Sequence, residues 1–398
     1  MPTLKLFTRS DDEWEGLQAQ FPILVGRGQS FMAHGSLGLL PQPKNETTYS
    51  MIVPVKWVRG RIQFEIAVMK ASMRSSGAFA RANEMLMNRL IANIADEKNR
   101  MLCAGNGVGI FAQVNGAVSA STTVTVDNPG NITSTVAGAR YIQPGMLLGF
   151  IDSATAPTTI QAIREVSSVA AGDLTFVIDS AATISDDYFI VRVVNAQVSN
   201  IARDTSWNNE PMGLQGIVAT TTPSTFHNID RSTVTDFQSS VLSVSALSLD
   251  ALQRLEDVVD QQSGEEITDH LVHHSVRRQY LAMIDASRVF MQTGKATVAD
   301  AGQEPMGVQL TYNGKPILCD RDFMLGEWMA VNRNHLTHFV LTDGEWAEET
   351  GSMFRAVPGQ DALEAVYRIA DNFSTDKGNA HGKLTGLSTS NALSRHVA

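Results

Sequence analysis

The side chains with the clearest chemical potential lie in DHLVHHSVRR at 269–278, the one histidine cluster of the chain. His270 and His274 are four residues apart, the spacing that sets two imidazoles on one face of a helix and lets them share a divalent metal. The run lacks the glutamate of an HExxH site, and a strand-to-helix break at Ser275 would spoil the helical spacing. The expectation is a solvated strand end and no metal. Gly105, Gly107 and Gly109 form a glycine run, GNGVG. It follows a helical pattern, whereas a dinucleotide site needs a strand before and a helix after, so helix termination is the better account. Neither a GxSxG elbow nor a GxxxxGK[ST] phosphate loop occurs. The acidic pairs Asp186-Asp187, Glu265-Glu266 and Glu348-Glu349 fall in polar turns, and adjacent residues on a strand point to opposite faces, so they do not converge on a substrate. No catalytic residue and no cofactor is expected.

One charged group resists that dismissal. Lys56, Arg59 and Arg61 crowd around Trp57, and Trp with Arg is a common anchor of protein interfaces. The surrounding run, 50–70, reads as a β-hairpin. Val53, Val55 and Trp57 lie on its first strand, Arg59-Gly60 marks the reversal, and Ile62, Phe64, Ile66 and Val68 alternate with polar partners on the second. Lys56, Trp57, Arg59 and Arg61 then form a basic tip, with Ile62, Phe64, Ile66 and Val68 as an apolar face. A two-stranded hairpin is marginal alone in water, so both are expected to meet a neighbouring subunit, with little burial from their own chain.

Other elements must hold such a projection. Residues 1–49 are broken by Pro22, Pro41 and Pro43 and read as an irregular arm; the extended loop takes 50–74. A long helix is expected from about Ser75 to Ala104, with Phe79, Ala82, Leu86, Leu90 and Ile94 in one stripe and Gly105 past its end. The helix and a following strand occupy 75–118. From 119 to 198 Thr, Val, Ser and Ala dominate in short β-type runs between turns at DNPGN, QPG and AAGD, the pattern of a small inserted β-domain. Residues 199–244 connect it to a mixed α/β lobe at 245–360. There Ser248 caps a helix that Gly264 stops, and Asn313-Gly314 turns a hairpin. Residues 361–398 hold a returning strand, with Leu363, Ala365, Tyr367 and Ile369 alternating with Glu364, Val366 and Arg368, and then a polar tail, read as mobile from Asp376.

Composition narrows the partners. At 398 residues the chain suits two or three lobes, and 43% hydrophobic with 18% charged residues supports folded cores. The formal charge of −10, with no basic tract, disfavours a protein that grips nucleic acid by its phosphates. Cys103 and Cys319 stand apart, outside any CxxC motif, as suits a reducing cytosol. There is no signal core at the start and no run near the roughly 20 apolar residues needed to cross a bilayer, so no membrane partner is expected.

The order of arm, hairpin, long helix, β-insertion, α/β lobe and returning strand resembles the major capsid proteins of tailed bacteriophages with the Hong Kong 97-like fold. ARYIQPGMLLGFIDS at 139–153 is similar to the insertion segments of such coats. SLDALQRLEDVVDQQSGEEITDHLVHHSVRRQYLAM at 248–283 resembles their axial-domain helix, strand and helix. TYNGKPILCDRD at 311–322 resembles the central hairpin, and DALEAVYRIADNFSTDKGNAHGKLTGLS at 361–388 the closing peripheral strand. The resemblance covers nearly the whole chain and implies an α+β fold with a spine helix, peripheral and axial domains. It implies a structural, non-enzymatic protein of the virion, assembled in the bacterial host cytoplasm as an icosahedral shell. The implied partners are further copies of itself in hexamers and pentamers, a portal, a scaffolding protein and a decoration protein, with DNA enclosed without sequence-specific binding. Lys56 and Lys70 lie in or near the loop, but nothing marks an acceptor, so the crosslinking of some family members is not carried over. Two alternatives stand beside it: an encapsulin-type compartment shell and, further off, a soluble metal-dependent hydrolase using the histidine cluster.

Overall fold

The computed structural model describes residues 3–396 apart from 11–13, 27, 29, 35, 37, 67–75, 155–156, 199, 288–309, 349–350 and 390–391. The periodic stripe of the sequence becomes a 29-residue helix, Ser76–Ala104. Its last turn, from Met101 to Ala104, is buried, and Gly105 follows it with an N–H donated to Met101 O at 3.0 Å. A Cβ at Gly105 would sit 2.2 Å from that same carbonyl oxygen, which is why glycine ends the helix.

This helix lies on a five-stranded sheet. Ala362–Thr375 is central, paired antiparallel on one side with Leu336–Trp346 and Arg355–Ala356, and on the other with Lys56–Glu65. Thr8–Ser10 joins Leu336–Trp346 in parallel. The alternation read at 362–370 is the pairing seen: Leu363, Ala365, Tyr367 and Ile369 face Phe64, Ile62, Gly60 and Val58 across the ladder.

The predicted hairpin at 50–70 does not form. Arg59-Gly60 is no reversal; it lies within the single strand Lys56–Glu65, where Gly60 pairs with Tyr367. The glycine has a different cause. A Cβ there would come within 2.7 Å of Ile94 Cδ1 and 2.9 Å of Leu90 Cδ1, so the residue lets the helix close onto the strand. Residues Thr47–Pro54 pair instead with Gln18–Val25, in register from Gln18↔Pro54 to Val25↔Thr47. The arm at 1–49 is thus not irregular throughout. Pro22 sits inside Gln18–Val25, opposite Ser50, and is tolerated because, among the described residues, the outer side of that strand is paired only near its start, by Trp14–Glu15.

The β-rich segment closes on itself. Ile110–Val114, Val118–Asp127, Leu147–Ile151, Ile160–Val169, Thr175–Ile184 and Phe189–Arg192 form a closed six-stranded barrel. It begins before 119, since Ile110–Val114 is one of its strands. Phe111, Phe150, Phe176, Ile178 and Ile190 fill its interior, and Tyr141 and Met324 pack on the same cluster.

The mixed lobe is a six-stranded sheet in the order Ser240–Ser243, Gly382–Thr385, Trp328–Val331, Asp269–Val272, Lys315–Cys319, Thr311–Tyr312. Ser248 Oγ accepts from Ala251 N at the start of helix Leu249–Ser263, and Gly264 ends it with φ 66°. Two expectations are corrected here. Leu336–Trp346 belongs to the long sheet and not to the lobe. The tail beyond Asp376 is not loose: Gly382–Thr385 is an inner strand of the lobe sheet, and its Leu384 is fully buried.

Candidate intersubunit surface

The strand Lys56–Glu65 has two unlike faces, fixed by the period-2 geometry of a strand. Val58, Gly60, Ile62 and Phe64 turn toward the helix and the buried residues of Ala362–Thr375. Phe64 is 7% exposed and meets the Phe354 ring edge-on at 5.8 Å. The expectation of little burial within the chain is therefore not met for Phe64, and Ile62 is half-buried. Ile66 is half-buried just past the strand, its N–H donated to Asp361 O at 3.1 Å. Val68 lies outside the described residues.

The opposite face carries the charges. Arg59 is exposed and stacks its guanidinium 4.9 Å over the Trp57 ring. Arg61 is exposed and pairs loosely with Glu364 at 3.4 Å. Arg368, directly across from Arg59, is paired with Glu345 at 2.7 Å. Trp57, Arg59, Arg61, Arg368 and Glu364 thus share one face of the sheet. Lys56 is separated from them. It lies on the other face and donates to Asn208 O at 2.6 Å, and burial lowers its pKa from the ordinary lysine value. At that end of the strand the helix is tied down by a buried cluster in which Lys98 and His338 both contact Asp371. Burial pushes the Asp371 carboxyl up, but the bonds from His338 and Lys98 outweigh it and hold it low.

The structure separates the histidine pair. His270 is buried on strand Asp269–Val272, where Nδ1 accepts from Trp328 Nε1 at 3.1 Å and Nε2 meets Glu256 at 3.1 Å. Since Nδ1 accepts, the proton sits on Nε2 and is donated to the carboxylate. Burial raises the Glu256 carboxyl, but hydrogen bonds from His270, Asn313 and Lys315 prevail and hold it at about 2. His274 is exposed at the start of helix His274–Ser287. His273 between them is buried, bonded to Arg140 at 2.8 Å, and driven down to about 3 by burial and then by the charges of Arg140, His274 and Arg278. The "solvated strand end" is corrected accordingly: two of the three histidines are buried and bonded within the chain.

Sequence reasoning passed over a run of exposed apolar residues near the N-terminus. Leu24, Phe31, Met32, Leu39 and Leu40 are 68%, 79%, 61%, 93% and 83% exposed. They lie on or between the strands Gln18–Val25 and Thr47–Pro54, and no described residue of 31–46 belongs to a strand or helix. Their signal in the sequence was apolar residues beside Pro41 and Pro43 with neither helical nor strand period.

No family model matches the sequence, and no curated protein matches it. Solved structures do match. A chain of the Cyanophage A-1(L) capsid asymmetric unit aligns over 97% of this chain and 92% of its own, with 11% identity and a TM-score of 0.55. The capsid of a native GTA particle aligns over 98% and 91%, with 10% identity and a TM-score of 0.50. The SrpI encapsulin of Synechococcus elongatus aligns over only 38% of this chain and 54% of its own, with 12% identity and a TM-score of 0.29. The chain has the mixed α+β fold of a phage capsid protein along nearly its whole length.

Proposed function

We propose that this chain is the major capsid protein of a tailed bacteriophage, with the Hong Kong 97-like fold. Copies of it assemble as hexamers and pentamers into an icosahedral shell around double-stranded DNA. The observation that carries the proposal is the likeness to the cyanophage capsid chain over 97% of this sequence. The helix Ser76–Ala104 takes the place of the spine, the long sheet that of the peripheral domain, and the lobe that of the axial domain. The barrel is an insertion that steadies the subunit or receives a decoration protein. A portal and a scaffolding protein complete the assembly.

The intersubunit contact is drawn differently from a hairpin tip. Arg59 and Arg61 are exposed beside the half-buried Trp57 on a sheet face, and a second copy brings a formal charge of −10 to meet them. Exposed ion pairs contribute about 0–1 kcal/mol each, while each apolar side chain removed from water contributes about 1.5–3 kcal/mol. Affinity therefore comes from the exposed leucines, Phe31 and Met32, and register from the arginines. Negative-stain microscopy of protein expressed with its scaffold and portal tests the proposal, and closed particles are expected. Sedimentation that finds only monomers at every concentration overturns it.

A further inference from the structure

The turn between the barrel strands Ile160–Val169 and Thr175–Ile184 ends at Asp173, whose backbone is left-handed with φ 57°. Glycine holds such a φ at less cost, and here the aspartate is fully buried as well. A buried carboxylate needs donors. Among the described residues, all of its side-chain partners come from 394–396, a stretch that the sequence reads as loose tail. Oδ2 accepts the Arg395 N–H at 2.8 Å. Oδ1 accepts the His396 N–H at 3.2 Å and the His396 Nδ1 proton at 2.8 Å, and Ser394 Oγ lies 2.9 Å from it. The neighbouring Gly172 N–H donates to Ser394 Oγ at 3.1 Å. Burial pushes the Asp173 carboxyl up, but the bonds from Arg395, His396 and Ser394 prevail and hold it low.

A second contact carries the same segment to the rest of the molecule. Arg395 Nη1 donates to Asp322 Oδ1 at 2.8 Å, and Asp322 is fully buried too. Asp322 Oδ2 accepts from Asn99 Nδ2, on the helix Ser76–Ala104, at 2.8 Å. The Asp322 carbonyl accepts from the Tyr141 hydroxyl at 3.0 Å, and Tyr141 packs on the barrel core. Helix, barrel and residues 394–396 therefore meet at one residue. Leu393 beside them is 69% exposed, so the seat is polar and opens without uncovering apolar surface. We propose that Gly172, Asp173 and Asp322 form a peptide-binding site, filled by the chain's own Ser394–His396 as a releasable clasp between the barrel and the helix. The chemistry of the occupant follows from the two carboxylates. It is a hydroxyl, a guanidinium and a side-chain N–H donor on three consecutive residues, with the backbone N–H groups of the last two turned to Asp173. The clasp stands apart from the shell reading, since none of these contacts involves a second copy.

Amide exchange at neutral pH tests the clasp in the full chain. The Arg395 and His396 amides are expected to exchange roughly tenfold or more slowly than in the Asp173→Gly chain, whose turn keeps its backbone but loses the carboxylate. Equal rates in the two chains overturn the proposal. Peptide binding tests the site in trans. A chain ending at Leu393 should take up a labelled peptide spanning 391–398, read by fluorescence anisotropy, and the full chain should bind it roughly tenfold more weakly because its own segment competes. The same peptide with Arg395→Glu should also bind roughly tenfold more weakly, since it brings like charge to Asp322. Undiminished binding of that variant overturns the clasp, because nothing then ties the segment to the helix. So does a failure of the shortened chain to bind the native peptide while its barrel strands keep the exchange protection of the full chain. Should the shortened chain lose that protection, the comparison with Asp173→Gly in the full chain decides.

Discussion

The barrel and the long sheet handle the same problem in opposite ways. In the barrel every strand has two neighbours, because Ile160–Val169 closes back through Thr175–Ile184. Its core of Phe111, Phe150 and Phe176 is filled from within, and its strands all come from 110–192. The long sheet draws on residues 8–10, 56–65, 336–346, 355–356 and 362–375, and among the described residues its strand 56–65 is bonded along one side alone. A closed sheet leaves no backbone edge, whereas an open one presents a row of N–H and C=O groups along its last strand. The barrel is assembled from one stretch of chain and the sheet from five scattered ones.

Acid should separate the two regions most strongly. Residues 110–192 contain no histidine. Outside them, burial drives His227 down to about 4 and His381 to about 3, and burial followed by the charge of Arg140 drives His273 to about 3. His227 bonds to Phe373 O in the long sheet at 2.9 Å, and His381 to Thr375 Oγ1 at 2.9 Å. Each histidine stays neutral in the fold but accepts a proton near pH 6.5 once unfolded. Stability is thus full above about pH 6.5 and falls as pH drops toward 4 and then 3, by about 3 kcal/mol for His227 and about 5 kcal/mol each for His273 and His381 across the window. Hydrogen exchange at pH 7 and at pH 4.5 should find protection lost first in the sheet and lobe. Equal loss in the barrel at the same pH breaks the contrast.

Phe176→Ala attacks the other side. The ring is fully buried and stacks on Phe150 with centroids 6.5 Å apart. Its removal should cost about 3–5 kcal/mol in chemical denaturation, with the loss of exchange protection confined to the barrel strands. Gly60→Val should cost about 1–3 kcal/mol by overpacking against Leu90 and Ile94, and protection should fall in the helix Ser76–Ala104 before it falls in the barrel. The smallest effect on the monomer belongs to Arg59→Glu with Arg61→Glu. Only exposed contacts are lost, so stability should stay within about 1 kcal/mol, while particle yield falls because the neighbour's acidic surface now meets like charge. Normal yield at ordinary salt would show these arginines to be merely solvated.

What the sequence made legible was local. Ser248 and Gly264 bound a helix, Asn313 and Gly314 turn a two-residue loop with φ of 49° and 76°, and the stripe from Leu86 to Ile94 is helical. Each rests on a few neighbouring residues whose backbone chemistry has one good solution. What failed depended on distant partners. Gly60 looks like a turn residue, yet what requires it is Leu90 and Ile94, some thirty residues on. Gly382–Thr385 is polar enough to read as tail, and it becomes an inner strand because Ser240–Ser243 and Trp328–Val331 flank it. Lys56 was grouped with Arg59 and Arg61 because of their closeness in sequence, and strand alternation put it on the other face, bonded to Asn208. Barrel closure likewise left no mark in any single strand.

The pairing of Lys56–Glu65 with Ala362–Asp371 also sets a schedule for synthesis. On the order of 300 residues separate the two strands, and at about 5–20 residues per second the ribosome needs roughly 15–60 s to supply the second. The barrel can close during that interval from what has already emerged. The strand at 56–65 waits all of it for the one partner it has among the described residues, so a crowded polysome is where this chain is most exposed to pairing with the wrong copy of itself.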